Sequence, residues 1–337
     1  MKDISSLKTP SHYSVMVDEV LQICEPEKGG IFVDCTFGIG GYTKRILDYP
    51  NTKVIAIDRD DEALKIAKNF KKNFKNRFTF HHLKFSDIHK VLKEGEKVDN
   101  VIFDLGISST QIFNMKRGFS FNSNYKPDMR MGLNTISALD VLNNLDVKTL
   151  GNVIKIFGEE KEGSKIAKNI VKYRKQRQIK LVSNLVNIIN NSKKRDFKKK
   201  INPSTKTFQA IRIFVNNEIS ELIEGLIKAT KILKKDGKLI IVSFHSIEDK
   251  IIKFFFKNFA KNKSRGSRYY PDFDQKRYLF KDYKNQVIRP SISEIKQNNP
   301  SRSAKLRFVT RSKEDFFYPI ELKNKFINYL KLESTYV

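Results

Sequence analysis

The first third of the chain alternates short apolar runs, rich in β-branched residues, with stretches of helical periodicity. The apolar runs predict buried strands at Ile31–Thr36, Lys53–Asp58, Phe78–Phe85 and Val98–Leu105. Between the second and third runs, Asp61–Phe74 places apolar residues on one face and lysines on the other, which predicts an amphipathic helix. This alternation is typical of parallel βαβ units.

After Gln111 the strand pattern stops. Residues 112–215 show helical periodicity and polar loops, without a segment that favours a strand. The apolar spacing of Thr205–Lys234 predicts one long helix, which Asp236 and Gly237 would close. This region therefore reads as a helical insertion.

The strand pattern resumes towards the carboxyl end of the chain. Lys238–Phe244 predicts a buried strand, and Lys305–Thr310 predicts another. With 337 residues, the chain has room for one elaborated domain or for two units that share an interface. We expect an α/β core in two parts, 1–111 and 216–337, with a helical substrate-recognition domain inserted at 112–215.

The chain is strongly basic. It has 65 Lys and Arg against 37 Asp and Glu, a net charge of +28. Such an excess favours a polyanionic partner, RNA or DNA, although an AT-rich gene would also enrich lysine. Lys193–Lys200 is the most basic run of the insertion and is either a solvated charge run or an RNA contact. Lys261–Gln286 is a basic surface segment interleaved with aromatic residues, without a clear period.

Composition also bears on compartment. No apolar run approaches the length of a membrane span, and Met1–His12 lacks the apolar region of a secretory signal. We therefore expect a cytoplasmic protein without a membrane partner. Its oligomeric state cannot be read from the sequence.

Cysteine and histidine usage argues against a metal centre. Cys24 and Cys35 are the two cysteines, and they form neither a CxxC pair nor a cluster with histidine. His81 and His82 are adjacent and would project to opposite faces of a strand, which is typical of structural residues. We expect no metal and no disulfide.

The sharpest local signal is FVDCTFGIGGY, Phe32–Tyr42, in which a predicted strand runs into three glycines ahead of a helix. Thr43 stands where a dinucleotide-binding fold would have its third glycine, which disfavours a pyrophosphate. Asp58 ends the next strand, where an acidic side chain can accept both hydroxyls of a ribose. The pattern favours a nucleoside cofactor with an amino-acid tail, S-adenosylmethionine, over a merely tight turn.

Two further residues end predicted strands. Asp104, in FDLGISSTQ (Phe103–Gln111), can hydrogen-bond the cofactor, or accept a proton of a substrate amine, or simply cap the following turn. Phe85 can pack against an adenine edge or belong to the core. Methyl transfer is an in-line displacement, so the enzyme acts mainly by positioning the reactants.

These motifs resemble those of the bacterial small-subunit ribosomal RNA cytosine-N4 methyltransferases, in the same order and at similar spacing along nearly the whole chain. The motifs that carry the resemblance are HYSVMVDEVL (His12–Leu21), FVDCTFGIGGY, FDLGISSTQ, RGFSF (Arg117–Phe121), PDMRM (Pro127–Met131), FGEEKEGSKIAKNI (Phe157–Ile170), TFQAIRIFVNNE (Thr207–Glu218), IVSFHSIEDKIIK (Ile241–Lys253) and NPSRSAKLR (Asn299–Arg307).

The resemblance implies a Rossmann-like class I methyltransferase core with an inserted helical domain. It implies S-adenosylmethionine as cofactor and methylation of N4 of a cytidine in the decoding region of 16S ribosomal RNA, as naked RNA or as the assembled small subunit. Asp104 is the candidate catalytic residue. The family's cofactor-binding positions fall on Gly40, Gly41, Tyr42, Asp58, Phe85, Asp104 and Gln111.

Four positions depart from the family pattern. The family commonly has His at Tyr42, Gly at Cys35, Pro at Thr110 and Asp at Gly132. A backbone contact at Tyr42 would survive its change, whereas a side-chain contact need not.

Basic residues near the carboxyl end have two interpretations. His245 either contacts RNA or helps to order the pocket, or it is a structural histidine. Arg302, Lys305 and Arg307 read by charge as phosphate contacts or as solvated edge residues, and the last two would share one face of a strand.

Two other functions fit parts of the sequence. A DNA amino methyltransferase typically carries Asn/Asp-Pro-Pro-aromatic where this chain has DLGI at 104–107, which disfavours DNA. A non-catalytic ribosomal RNA assembly factor would use the basic charge alone. The retained acidic residues and glycines, Asp34, Gly38, Gly40, Gly41, Asp58 and Asp104, argue against a decayed pocket.

Overall fold

A computed structural model describes residues 14–193, 202–261, 277–281 and 283–336, and these form one six-stranded sheet with helices on both faces. The strands are β1 (Gly30–Asp34), β2 (Thr52–Asp58), β3 (Phe78–His82), β4 (Val98–Asp104), β5 (Leu233–Ser243) and β6 (Lys305–Thr310). The helices are α1 (Val17–Cys24), α2 (Gly41–Leu47), α3 (Asp61–Phe74), α4 (Ser109–Phe113), α5 (Ala138–Asn144), α6 (Val147–Phe157), α7 (Gly163–Gln176), α8 (Val182–Ser192), α9 (Thr205–Asn216), α10 (Glu218–Ile232), α11 (Ser246–Phe259), α12 (Ile292–Gln297), α13 (Ile320–Lys325) and α14 (Ile327–Glu333).

The sheet has the order β3-β2-β1-β4-β5-β6, in which the first five strands are parallel and β6 runs antiparallel to β5. Strand order reverses between β1 and β4, so a crevice opens at their carboxyl ends. Asp34 at the end of β1 pairs with Ala56 of β2 and Ile102 of β4. The predicted Rossmann-like α/β core is confirmed.

The strand predictions hold to within a few residues. Lys305–Thr310 forms a strand with the predicted bounds, whereas the strand predicted at Phe78–Phe85 ends at His82. Phe85 instead begins a 3-10 helix, Phe85–Val91, which turns its ring back towards the sheet.

The prediction of one helix over Thr205–Lys234 is wrong. Asn217 adopts a left-handed conformation, with φ 50°, and divides the segment into α9 and α10. Asparagine tolerates this conformation, which is common at helix ends. Apolar residues continue at helical spacing on both sides of the break, so the pattern alone does not reveal it.

The expected helix stop at Asp236 and Gly237 is also wrong, because both lie inside β5. The pairing of β5 with β4 shifts register between Val98 and Asn100, and Asp236 has φ 68°. This irregularity in the strand uses the residues that otherwise end helices.

Helices pack on both faces of the sheet, which explains the consecutive buried apolar residues of its central strands, Val101–Phe103 in β4 and Leu239–Val242 in β5. On one face, Phe32 and Val54 join residues of α1, α2 and α3. On the other, one continuous core extends from Phe103 to Phe157 and Ile211 in the inserted segment. The described part of that segment consists of helices joined by loops and contains no strand, and its separation as a domain remains a prediction. The described chain contains no helix long and apolar enough to cross a bilayer.

Both cysteines are buried and unpaired. Burial raises the pKa of the Cys24 thiol to about 12 and that of the Cys35 thiol well above its ordinary value. Since the thiolate is the reactive form, we expect neither thiol of the folded protein to react with a thiol reagent at neutral pH. Both should react once guanidinium unfolds the chain. Rapid labelling of either cysteine before unfolding would contradict the described burial.

Glu333, the last residue of α14, caps the first turn of α10. The carboxylate of Glu333 accepts hydrogen bonds from the backbone N–H groups of Ile219 (2.9 Å) and Ser220 (2.8 Å). Glu333→Ala leaves both buried donors unpaired, so we expect it to lower the free energy of unfolding by about 1–3 kcal/mol. Denaturant titration of both proteins measures the difference. An unchanged midpoint would show that other groups can satisfy the donors.

Glu333 also makes a pH-dependent contribution. Burial raises its pKa from 4.5 to about 7, so the folded chain holds this proton more tightly than the unfolded chain. The contribution is present below pH 4.5 and is lost as the pH rises through about 7. We expect wild-type stability to decline across this window relative to that of Glu333→Gln. Parallel stability curves for the two proteins would contradict the raised pKa.

Candidate active site

A cavity opens at the carboxyl ends of the parallel strands. Its walls come from the turn after β1, the start of α3, the 3-10 helix after β3, the loop after β4 and the start of α11. Among the lining residues are Gly38, Ile39, Tyr42, Asp58, Asp60, Phe85, Asp104, Ile107, Gln111, Met131, Glu218, Leu222, Phe244 and Glu248. Of the seven predicted cofactor positions, Gly40 and Gly41 do not line the cavity, and the other five do.

The glycine turn is held tightly under the cavity. Gly40 has φ 82°, and a Cβ atom there would lie 2.5 Å from the ring of Phe70. The N–H of Gly38 donates to Oδ2 of Asp58 at 2.7 Å. These two constraints fix the backbone conformation of the turn that borders the cavity.

Thr43 replaces the third glycine of a dinucleotide motif, and its side chain has a defined partner. Its hydroxyl donates to Oδ2 of Asp34 at 2.7 Å, and both residues are buried. Burial raises the pKa of Asp34 to about 6, although this hydrogen bond opposes the rise. The pair joins α2 to the end of β1.

Asp58 has both carboxylate oxygens anchored by backbone. Oδ2 accepts from Gly38, and Oδ1 accepts from the N–H of Asp60 at 2.9 Å. Each oxygen keeps a second lone pair, so the carboxylate can still accept hydrogen bonds from a ligand in the cavity.

Asp104 carries an unsatisfied buried acceptor. Its Oδ1 atom has no hydrogen-bond partner among the described residues, while its backbone N–H donates to Oγ1 of Thr36 at 2.7 Å. Burial raises the pKa of Asp104 well above its ordinary value, and the neighbouring Asp34 adds to the rise. Buried acceptors are normally paired, so this oxygen is suited to a bound donor or cation.

Tyr42 occupies a position where the resembling family commonly has histidine. Its side chain is buried, and its hydroxyl donates to the backbone carbonyl of Val15 and also interacts with the carboxyl of Asp104. The side chain therefore ties the segment before α1 to the cavity floor.

Phe85 and Gln111 each have a structural partner as well as a place in the cavity wall. The ring of Phe85 packs edge-to-face on Phe103, with centroids 5.3 Å apart, and also lines the cavity, while its packing against an adenine stays a prediction. The amide of Gln111 donates to Oδ2 of Asp60 at 2.6 Å. Asp60 in turn caps the start of α3.

Gly132 departs from the family's aspartate, and the structure gives a reason. It has φ 74°, and a Cβ atom built there would lie 1.7 Å from the carbonyl oxygen of Arg59. Arg59 directly follows Asp58, so this close contact borders the site. The neighbouring Arg130 pairs with Asp128 at 2.7 Å within its own turn.

Comparison with known proteins identifies the family. A sequence model of the MraW methylase family matches residues 9–312. The chain belongs to this family. A relative from Rickettsia africae, named "Ribosomal RNA small subunit methyltransferase H", is 44% identical over 301 residues, covering 88% of this chain and 97% of the relative. A protein of the same name from Ehrlichia canis is 41% identical over 304 residues, covering 89% and 99%.

Membership of this methylase family confirms the predicted family and, with it, S-adenosylmethionine as the cofactor. The individual cofactor-binding residues remain predictions, which the cavity geometry supports but does not test.

The sequence analysis missed two acidic residues of this methylase's cavity, Glu218 and Glu248. Together with His245 they form a group whose oxygen and ring nitrogen atoms lie within 4.8 Å of one another. His245 caps α11, its Nδ1 atom accepting from the N–H of Glu248 at 3.4 Å. One sequence pattern could have revealed Glu248. It stands three residues after His245, just beyond a predicted strand, and this is the spacing of a capping box at the start of a helix.

The basic residues near β6 are less available than their charge suggests. Lys305 and Arg307 share a face, as expected, but both bind the carboxylate of Asp249, at 2.8 and 2.7 Å. Arg302 is exposed. Most of the runs Lys193–Lys200 and Lys261–Gln286 lies outside the described residues.

Proposed function

We propose that this methylase transfers the methyl group of S-adenosylmethionine to the N4 amine of a cytidine in the decoding region of 16S ribosomal RNA. The observation that carries the proposal is the cavity at the β1–β4 switch point, where Asp104 offers an unpaired buried oxygen. The names of the relatives favour ribosomal RNA of the small subunit as the substrate. Naked RNA and the assembled subunit are both candidate partners.

The residues present fit the cofactor. Asp58 would accept the ribose hydroxyls, Phe85 would pack on the adenine, and the turn at Gly38–Tyr42 would leave room for the amino-acid tail. The unpaired Oδ1 of Asp104 would face positive charge. When bound, S-adenosylmethionine supplies an electrophilic methyl group on a sulfonium.

The chain's own task is to position the base. The lone pair of a cytosine amine is delocalised into the ring, so acceptors must orient its hydrogens and expose the nitrogen. The base must also be unstacked to enter the cavity, which single-stranded or looped RNA permits most readily. The net charge of +28 supports RNA affinity through counterion release.

The test uses labelled S-adenosylmethionine and small subunits from a strain that lacks this gene. Nucleoside analysis should find the label in N4-methylcytidine. Subunits from the parent strain, which are already modified, serve as the control and should accept no label. Parallel reactions with naked 16S RNA and with DNA define the substrate. Label in another nucleoside, or only in DNA, would refute the proposal.

A further inference from the structure

The β5 side of the cavity presents two carboxylates that the cofactor assignment does not use. Glu248 lies in the first turn of α11, directly after β5, and Glu218 is the first residue of α10. Both line the cavity, yet their side chains are only 4% and 9% exposed. Asp58 and the glycine turn lie on the β1–β2 side, so the glutamates face the other half of the cavity.

Each glutamate is held in place by its neighbours. Arg212 binds Glu218 through two hydrogen bonds of 2.7 Å. Oε2 of Glu248 accepts from the backbone N–H groups of Phe244 (2.9 Å) and His245 (3.2 Å). Burial favours the neutral form of Glu248, but His245 and Arg212 together keep its pKa below the ordinary value. The carboxylates of Glu218 and Glu248 are therefore two hydrogen-bond acceptors held in fixed positions.

A metal ion is disfavoured by the histidine. Nε2 of His245 carries a proton in either form of the ring: the charged ring is protonated on both nitrogens, and the neutral ring, whose Nδ1 accepts from the N–H of Glu248, is protonated on Nε2. That nitrogen lies 3.0 Å from Oε1 of Glu248 without hydrogen-bond geometry, and a protonated nitrogen does not ligate a metal. Arg212 already supplies positive charge. The group therefore suits a ligand with N–H donors.

The spacing of the two carboxylates matches an amine. A planar NH₂ nitrogen that donates to two oxygens at about 2.9 Å each, along directions about 120° apart, separates those oxygens by about 5 Å. One carboxylate oxygen of Glu218 and one of Glu248 lie within 4.8 Å of each other, so both are within reach of a single nitrogen. One amino group can therefore bridge both side chains with ordinary hydrogen bonds.

We propose that Glu218 and Glu248 bind the two hydrogens of the target base's exocyclic amine, which leaves Asp104 to the cofactor. The assignment rests on the proposed function and names its specificity-determining residues. The nitrogen forms the new C–N bond with its lone pair, the electron pair of the broken C–S bond stays on sulfur, and the nitrogen's surplus proton passes to Glu248. Uracil would present a keto oxygen to two carboxylates and be rejected.

The test compares Glu218→Gln, Glu248→Gln and the double variant with wild type, and uses the exposed Glu94→Gln as the matched control. Small subunits from the strain that lacks this gene are the substrate. Each single variant should lower kcat/KM for the subunits roughly 10- to 100-fold, because a charge-assisted hydrogen bond is weakened. Calorimetric Kd values for S-adenosylmethionine should not change, which also reports correct folding.

A second measurement tests directly whether the enzyme distinguishes cytidine from uridine at the target position. Subunits that carry uridine at the target position should inhibit the wild-type reaction poorly and the Glu248→Gln reaction more strongly, since a glutamine amide can donate to a keto oxygen. The double variant should lose less than the product of the single losses, because both glutamates hold one amine.

Two outcomes would overturn the inference, and a third would overturn the proposed function on which it rests. Wild-type rates and unchanged base selection in both single variants would show that the amine lies elsewhere. Loss of wild-type activity in a chelator, restored by one divalent cation and abolished in Glu248→Gln, would make the group a metal site. Failure of wild-type enzyme to label any small-subunit RNA would instead refute the proposed function itself.

Discussion

Replacing Asp104 with asparagine is expected to weaken binding of S-adenosylmethionine roughly 10- to 100-fold, which corresponds to about 1.5–3 kcal/mol for a hydrogen bond to a charged group. The change preserves shape but removes the negative charge beside the unpaired Oδ1 atom. Isothermal titration of the two proteins measures the effect. Asp18→Asn is the matched control, because the Asp18 side chain is 85% exposed and pairs with Arg45 away from the cavity.

The same pair of proteins should differ in pH dependence. Because burial raises the pKa of Asp104, its carboxyl ionises at a higher pH than an ordinary aspartate, and a neutral carboxyl attracts a cation weakly. Wild-type affinity should therefore rise with pH as Asp104 ionises and fall as the pH decreases, whereas the asparagine variant should show a flatter profile. Equal affinity of both proteins for S-adenosylmethionine at every pH would show that the Asp104 carboxylate does not contribute to cofactor binding.

Gly132→Ala is expected to destabilise the protein by about 3 kcal/mol or more, because the strained backbone conformation and a steric overlap add together. The new Cβ atom would overlap the carbonyl oxygen of Arg59 at 1.7 Å. Arg59 itself donates to the carbonyl of Asn216 at 3.0 Å, so the loops cannot separate without breaking a buried contact. Denaturant titration gives the free energy of unfolding.

Gly95→Ala is the control that isolates the free-energy cost of the left-handed backbone conformation from that of the steric overlap. Gly95 has φ 80°, but no atom lies within 4 Å of a Cβ built there. Its substitution should cost about 1–2 kcal/mol from the left-handed conformation alone. Equal costs at the two positions would contradict the overlap at Gly132. For the same reason, introducing the family's aspartate at Gly132 should destabilise this chain.

The sequence predicts the parts of the fold that depend on local patterns. β6 and the glycine turn follow from strand periodicity and from three glycines in one loop, and both are found where expected. The break at Asn217 could not be predicted, because apolar spacing continues through it. Asp236 and Gly237 led to a wrong prediction of a helix end for a related reason, since the residue types that end helices also occur at irregularities in strands.

The candidate site was predictable on the side proposed for the cofactor and not on the side proposed for the base. Asp58 and Asp104 end predicted strands, and the ends of parallel strands must meet. Glu218 and Glu248 each begin a helix, where an acidic residue is ordinarily a favourable partner of the helix dipole. Glu218 and Glu248 come close together because the chain breaks at Asn217 and because β5 leads into α11. Neither feature can be recognised from the pattern of one sequence.

The central pairing of the sheet sets a constraint on how this protein folds. β4 and β5 are neighbours, but the whole segment 105–232 must loop out between them. Closing such a loop costs conformational entropy before any strand contact repays it. Prior collapse of the intervening helices would shorten the effective loop, so we expect the segment that carries Glu218 to prepare the sheet to close. We therefore expect the cavity to be assembled late in folding.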